Sequence, residues 1–275
     1  QLVSSLENAV YAKDLPGMAD IDSSLYLFCK EVKKHSTVAL SGECADEIFG
    51  GYPWFHREEL FNLHTFPWAP YLNERCSILS PEIKRMLNLN GYVSRRYEET
   101  LDEVPRLKDD GAIETRRREI FYLNITWFMQ TLLDRKDRMS MASGLEVRVP
   151  YCDHRLVQYA WNIPWDLKTY KGMEKGILRY ALEDILPKQI VERKKSPYPK
   201  THNPSYENAV RKKLIEILND SSSPLIPLIN KDSVISMAKG ESDYGKPWFG
   251  QLMATPQLLA YLIQVNFWLK EYRVK

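Results

Sequence analysis

The chain has 275 residues, with 38 Lys and Arg against 36 Asp and Glu, a net charge of +2 at pH 7. Hydrophobic residues at 44% and charged residues at 27% exclude collagen-like and disordered classes, and the near-neutral balance excludes a polybasic surface that coats nucleic acid. At roughly 150 residues per domain, the length corresponds to one large domain or two small ones with a sizeable core.

The sequence opens on Gln1 with no basic-then-apolar leader, and its apolar stretches are too broken for a membrane helix. A soluble, unsecreted, cytoplasmic protein is expected, and the starting Gln suggests a piece of something longer. Cys29, Cys44, Cys76 and Cys152 are dispersed, with no CxxC pair and no His at ligand spacing. Reduced thiols are therefore expected, with neither a zinc site nor a disulfide framework.

In chain order, a helix is predicted over 21–34, capped by Asp22 and Ser23, with Leu25, Phe28 and Val32 on one face. The run 35–40 reads as a buried strand, ending at the turn Ser41-Gly42, and 43–49 as the next helix. Beyond Tyr52 only helical patterns appear. A long helix is predicted over 114–133, carrying Phe121, Ile125, Phe128 and Leu132, with shorter ones over 154–161 and 175–186. Val210, Leu214, Ile217 and Leu218 mark an amphipathic stripe. A last helix has Thr255 at its cap and Pro256 in its first turn, and runs through Leu258, Leu262, Val265 and Leu269. Loops are expected at 195–205 and 219–227, and no internal repeat is visible. A lone buried strand leaves backbone groups unpaired, so the rest of its sheet is expected from residues preceding Gln1. An exposed sheet edge there would favour self-pairing into a homodimer.

The segment 41–52, SGECADEIFGGY, carries the chemistry. In open α/β sheets ligands sit beyond the carboxyl ends of strands, where this turn lies. Ser41 and Gly42 let backbone approach a ligand closely, and a helix N-terminus follows, which favours anions. The crowding of Glu43, Asp46 and Glu47 at the same spot makes sense if Mg2+ lies between carboxylate and phosphate. On spacing alone, acidic residues complementing a helix dipole explain the cluster as well.

SGECADEIFGGY resembles the second nucleotide-site motif of asparagine synthetases, as do LLDRKDRMSMASGLEVRVPYCDHRL at 132–156 and GMEKGILRYALEDILP at 172–187. The closing PQLLAYL at 256–262 also has the family's look. The resemblance implies an α/β fold, mostly helical in this chain: part of a Rossmann-like adenine-nucleotide alpha-hydrolase (PP-loop) core over 1–52, followed by a helical region over 53–275. It implies an ATP-dependent carbon–nitrogen ligase, the glutamine-hydrolysing asparagine synthase. There the side-chain carboxylate of aspartate attacks the α-phosphate of ATP, giving β-aspartyl-AMP and pyrophosphate. Ammonia from glutamine then displaces AMP. Substrates are aspartate, ATP and ammonia, and the cofactor is Mg2+; no nucleic acid or membrane partner is expected.

Residue by residue, the resemblance places Ser41 and Gly42 against ATP and makes Glu43 the carboxylate that deprotonates the incoming ammonium. Asp46 matches an aspartate that holds Mg2+ on pyrophosphate, and Lys175 a lysine that stabilises charge on the phosphates. Asp137 matches an acidic residue that orients that lysine. Without the resemblance, Lys175 reads as a solvated lysine, and Arg135, Lys136 and Arg138 as helix charges or an ion-pair network with Asp134 and Asp137. Arg116, Arg117 and Arg118 read as a helix face with local ion pairs, and Trp54, Trp161, Trp165 and Trp268 as core or loop anchors.

The family's first motif, SGGLDSS, is absent from these residues, and Asp20-Ile21-Asp22-Ser23-Ser24 opens a helix instead of following a strand. The N-terminal glutaminase with its leading Cys is absent as well, and is expected as a partner portion of the same enzyme together with the first motif. Cys44 stands where the family has a small residue. The chain is expected to be incomplete and inactive alone. Two other readings are another adenylating amidotransferase such as β-lactam synthetase, which the glutamate in SGE disfavours, and a non-catalytic helical interaction module, which intact Glu43, Asp46 and Lys175 disfavour.

Overall fold

A computed structural model describes residues 1–196, 198, 200–247 and 253–274. Pro197 and Pro199 of the 195–205 loop lie outside the described residues. The fold is mostly helical around a small parallel sheet of two strands. Helix α1 (Leu6–Lys13) and helix α2 (Asp20–Lys33) lead into strand β1 (Val38–Leu40). The SGE turn then feeds the short helix α3 (Ala45–Phe49). Helices α4 (Leu89–Asp102), α5 (Ala112–Leu123) and α6 (Gln130–Met141) follow. Strand β2 (Glu146–Arg148) and helices α7 (His154–Trp161), α8 (Gly176–Ala181), α9 (Pro204–Asn219), α10 (Lys231–Lys239) and α11 (Thr255–Glu271) complete the labelled elements.

The expectation of a single strand is corrected. Glu146–Arg148 pairs in parallel with β1, in the register Val38↔Glu146, Ala39↔Val147 and Leu40↔Arg148. Its Glu-Val-Arg sequence shows one apolar residue between two charges, too short a signal to read as a strand. The buried character expected of β1 is also corrected. Leu40 is 76% exposed and Val38 40%, because among the described residues the strand has one neighbour and no layer over that face.

The helix expected over 114–133 is part of a longer rod. α5 and α6 are joined by a π turn, Asn124–Met129, so the helical path runs from Ala112 to Met141. The helix expected over 175–186 closes after one and a half turns at Ala181, and Lys175 itself is left-handed (φ 57°), outside the helix. Thr255 is the first helical residue of α11 rather than its cap.

Three packed regions matter for the site. The stripe Val210, Leu214 and Leu218 is fully buried against Leu258, Leu259 and Leu262 of α11, each such side chain contributing about 1.5–3 kcal/mol by leaving water. Trp54, Phe55, Phe66, Trp68, Phe121 and Phe128 form an aromatic core beneath the FGGY end of the motif. Ile48 and Phe49, the apolar face of α3, pack on Ala160 with Leu156, Val157, Ile177 and Leu178 around them. Of the expected anchors, Trp54 is core, Trp161 and Trp165 pack on that aromatic core, and Trp268 donates through Nε1 to the Asp14 carbonyl at 2.9 Å. Arg116 pairs with Glu119 and Arg117 with Glu114 as local helix ion pairs, while Arg118 reaches Asp110 in the loop before the helix.

Candidate active site

β1 ends by donating from Ser41 N–H to the Arg148 carbonyl at 2.9 Å, which fixes the motif turn to the end of β2. The chain then reverses at Cys44, whose φ of 75° is left-handed, a conformation that costs a non-glycine residue roughly 1–2 kcal/mol. The turn delivers Glu43 to one side and Asp46 to the other. Glu43 accepts from Ser41 Oγ at 3.1 Å and pairs with Lys136 Nζ at 3.3 Å.

Asp46 is gripped by two ammonium groups, Lys175 at 2.7 Å and Lys195 at 2.9 Å. Burial alone would raise the Asp46 carboxyl, but Lys195 and Lys175 outweigh it and hold it below the usual carboxylate range. Burial pulls Lys195 down, opposed by Asp46. Lys195 also lies 3.6 Å from the centre of the Tyr52 ring, a cation–π contact that fixes its direction. Behind it the Tyr52 hydroxyl donates to Glu47 Oε1 at 2.6 Å. Burial raises both Glu47 and Tyr52 above their ordinary values. Tyr52→Phe removes the donor to a buried carboxylate, and is expected to cost about 2 kcal/mol in urea unfolding. An unchanged midpoint would show that Glu47 finds another donor.

The two glycines of FGGY are required by close approach. A Cβ on Gly51 would lie 1.9 Å from Asp46 Oδ1, and one on Gly50, already at φ 71°, would lie 2.7 Å from the Trp165 ring. The loop that brings Lys195 in is fastened by Arg179, which donates to the Glu174 carbonyl at 2.7 Å, to the Arg193 carbonyl at 2.9 Å and to the Val191 carbonyl. Asp46, Lys175, Arg179, Arg193, Lys194 and Lys195 line an open cleft of about 310 Å3.

The structure thus brings Ser41, Glu43, Asp46 and Lys175 around one turn, with Gly42 exposed at its tip. Asp137 makes no ion pair with Lys175 among the described residues. Lys175 is oriented by Asp46, and Asp137 is exposed on α6. Its neighbour Lys136 faces Glu43, and the next residue of a helix points about 100° away. The sequence did not point to Lys195 or Arg179, and it left Lys136 as a helix charge or part of an ion-pair network with Asp134 and Asp137, where its partner is Glu43. The only signal for Lys195 was the basic run Arg193-Lys194-Lys195 opening a Pro- and Ser-rich loop.

A further lysine lies behind α3. Lys168 is 2% exposed, donates to the Ile48 carbonyl at 3.0 Å and sits 3.8 Å from the centre of the Phe121 ring. Burial, aided by Arg118, pushes it from 10.5 down to about 7.

The donor set suits a polyphosphate, with four cations besides Arg179 along the cleft. Among the described residues no three His, Cys, Asp or Glu side chains converge as a metal cage. Mg2+ characteristically takes one or two carboxylates and completes its shell from phosphate and water, so Asp46 fits it only with a phosphate ligand present. No helix of the described residues is long and apolar enough to cross a membrane.

Residues 1–270 match the family model described as asparagine synthase. The chain is 54% identical over 274 residues to asparagine synthetase [glutamine-hydrolyzing] 3 of Bacillus subtilis (strain 168), covering 99% of this chain and 44% of that protein. It is 31% identical over 268 residues to asparagine synthetase [glutamine-hydrolyzing] 1 of the same organism, covering 86% of this chain and 42% of the relative. Against the asparagine synthetase [glutamine-hydrolyzing] of Gallus gallus it is 28% identical over 203 residues, covering 71% of this chain and 27% of the relative. The chain spans less than half the length of these curated relatives.

Proposed function

The chain belongs to the asparagine synthase family, and from that premise we propose that it supplies the pyrophosphate-binding half of an asparagine-forming site. The reaction is ATP-dependent amidation of aspartate through β-aspartyl-AMP, with ammonia drawn from glutamine elsewhere in the enzyme. The observation that carries this reading is Asp46 held between Lys175 and Lys195 at the mouth of a basic cleft, one turn of chain from Glu43.

Each group has a physical task. Lys175 and Lys195 are pre-aimed ammonium groups that stabilise the charge developing on pyrophosphate as the aspartate carboxylate displaces it from the α-phosphorus. Bound Mg2+, held by Asp46, would supply further neutralisation of the phosphate oxygens. Ser41 and Gly42 present backbone to the nucleotide. Glu43, steadied by Ser41 and Lys136, takes the proton that ammonium must lose before nitrogen attacks the acyl carbon.

Isothermal titration of MgATP into this chain, with and without aspartate, tests the half-site. Saturable binding abolished by the Glu43, Asp46, Lys175 triple alanine variant is expected; binding that survives those changes would overturn the assignment. With one half of the pyrophosphate site outside this sequence, the isolated chain is expected to release no pyrophosphate when given aspartate and ATP. Aspartate-dependent release would refute that. In a longer enzyme that carries this segment, Glu43→Gln is expected to cut ammonia-dependent asparagine formation by about 10²–10⁴-fold with little change in ATP affinity. A loss confined to KM for ATP would instead place Glu43 on the nucleotide.

A further inference from the structure

Two cysteines stand at equivalent positions beyond the paired ends of the two strands. Leu40 and Arg148 are partners at the ends of parallel β1 and β2, and a cysteine follows each by the same interval, Cys44 and Cys152. The Ser41 to Arg148 bond keeps the two exits together. Farther on, α3 packs on the turn Pro150–Cys152, with the Phe49 and Tyr151 rings edge-to-face at 6.4 Å. Between these two ties the two thiols come within interaction range, and burial together with the neighbouring Cys152 holds the Cys44 thiol well above the ordinary thiol range. Cys44 is 2% exposed, whereas Cys152 is half-buried and reachable from solvent. The other two thiols are placed differently: Cys29 is shut in with Ala9, Leu25, Met139 and Leu145, and Cys76 lies on the separate helix Leu72–Ser77.

We propose that Cys44 and Cys152 form a dithiol that hydrogen peroxide converts to a disulfide, tying the motif turn to the end of β2. The Cys152 sulfur attacks the peroxide, the O–O bond breaks, and sulfenic acid forms at Cys152 with release of one water. The Cys44 sulfur then attacks the Cys152 sulfur, expelling the hydroxyl as a second water. Two thiols are oxidised, one peroxide is reduced, and the thiol protons leave in the waters. The crosslink spans the residues between the left-handed turn at Cys44 and the segment behind α3, so it restrains the helix that carries Asp46. The pair itself is independent of the assigned reaction; its consequence as a redox input to phosphate binding rests on the function proposed above.

The test treats the full reduced chain with hydrogen peroxide, alkylates remaining thiols and maps the digest by mass spectrometry. The expected product is an intrachain Cys44–Cys152 peptide, two hydrogens lighter than its parts and reversed by dithiothreitol, with Cys29 and Cys76 alkylated. Hydrogen exchange over 43–51 should slow in the oxidised form. Cys44→Ser should leave a dimedone-trappable sulfenate at Cys152. Should that buried variant not fold, Cys152→Ser at the half-exposed position should lower the rate of Cys44 oxidation by about tenfold or more, since the thiol that attacks the peroxide is lost. Over-oxidation of Cys152 beside a free Cys44, linkage of either to Cys29 or Cys76, or interchain linkage would overturn the proposal. Titration of pyrophosphate into the reduced chain separates the two readings, because a linked peptide together with no pyrophosphate binding supports the dithiol and removes the phosphate site.

Discussion

Asp46→Asn is expected to lower the stability of the free chain and, at the same time, tighten its hold on metal-free pyrophosphate. The carboxylate lies 2.7 and 2.9 Å from two ammonium groups whose side chains are only 21–22% exposed. Removing one partner of a largely buried pair leaves charge without compensation, at a cost of about 3 kcal/mol. For a chain of this size that is a fall in Tm of about 5–10 °C. The same substitution frees both lysines for an incoming anion, which now has no carboxylate to displace, so metal-free pyrophosphate should bind about tenfold tighter, some 1.4 kcal/mol. Added pyrophosphate should then restore much of the lost Tm, since a ligand that binds only the folded state stabilises it by mass action. The advantage of Mg-pyrophosphate over pyrophosphate should disappear. Calorimetry of both variants with each ligand measures all of this. An unchanged Tm with unchanged anion affinity would mean that the Asp46 pairs are screened by water and do not organise the cleft.

Lys168→Met is expected to change how stability depends on pH. In the native chain Lys168 is held near pH 7 by burial, against an ordinary value of 10.5. Between those values the unfolded chain binds the proton and the folded chain does not, so stability rises as pH goes up from 7 towards 10.5. Below 7 both forms are charged and the folded state carries the full penalty, about 1.4 kcal/mol for each pKa unit of the shift. Met fills the site beside Phe121 without a charge, and so should equal or exceed the native stability at pH 6. Only near pH 10.5, where that penalty has almost gone, should it be less stable, by up to about 1 kcal/mol, because the Ile48 carbonyl has lost its donor. Two urea comparisons, at pH 6 and pH 10.5, should therefore differ in rank. Parallel losses at both pH values would show that the lysine is charged throughout and that its bond to α3 outweighs its burial.

That bond also shows what lay beyond sequence reading. Lys168 looked like one of many lysines, yet its ammonium sits on the carbonyl of Ile48, two residues from Asp46. Nothing in the local pattern announces it, because the contact joins segments that share no periodicity. The same holds for Lys195, which reaches Asp46 only because Arg179 pins the loop carbonyls of Val191 and Arg193. β2 was missed for a related reason: three residues with one apolar side chain become a strand only when β1 supplies the hydrogen bonds.

Spacing alone determined the helix stripe at 210–218, the apolar run of the last helix, the helix over 154–161 and the turn after β1 that carries Glu43. Those features depend on neighbours within a turn or two of chain, which is the range over which side-chain periodicity and backbone sterics act. Only the tertiary structure decided that Lys175 stands before its helix in a left-handed conformation to meet Asp46, that Lys136 meets Glu43, and that Cys44 and Cys152 come within range of each other. Those are pairings of distant segments, fixed by strand register, loop anchoring and the burial of charge.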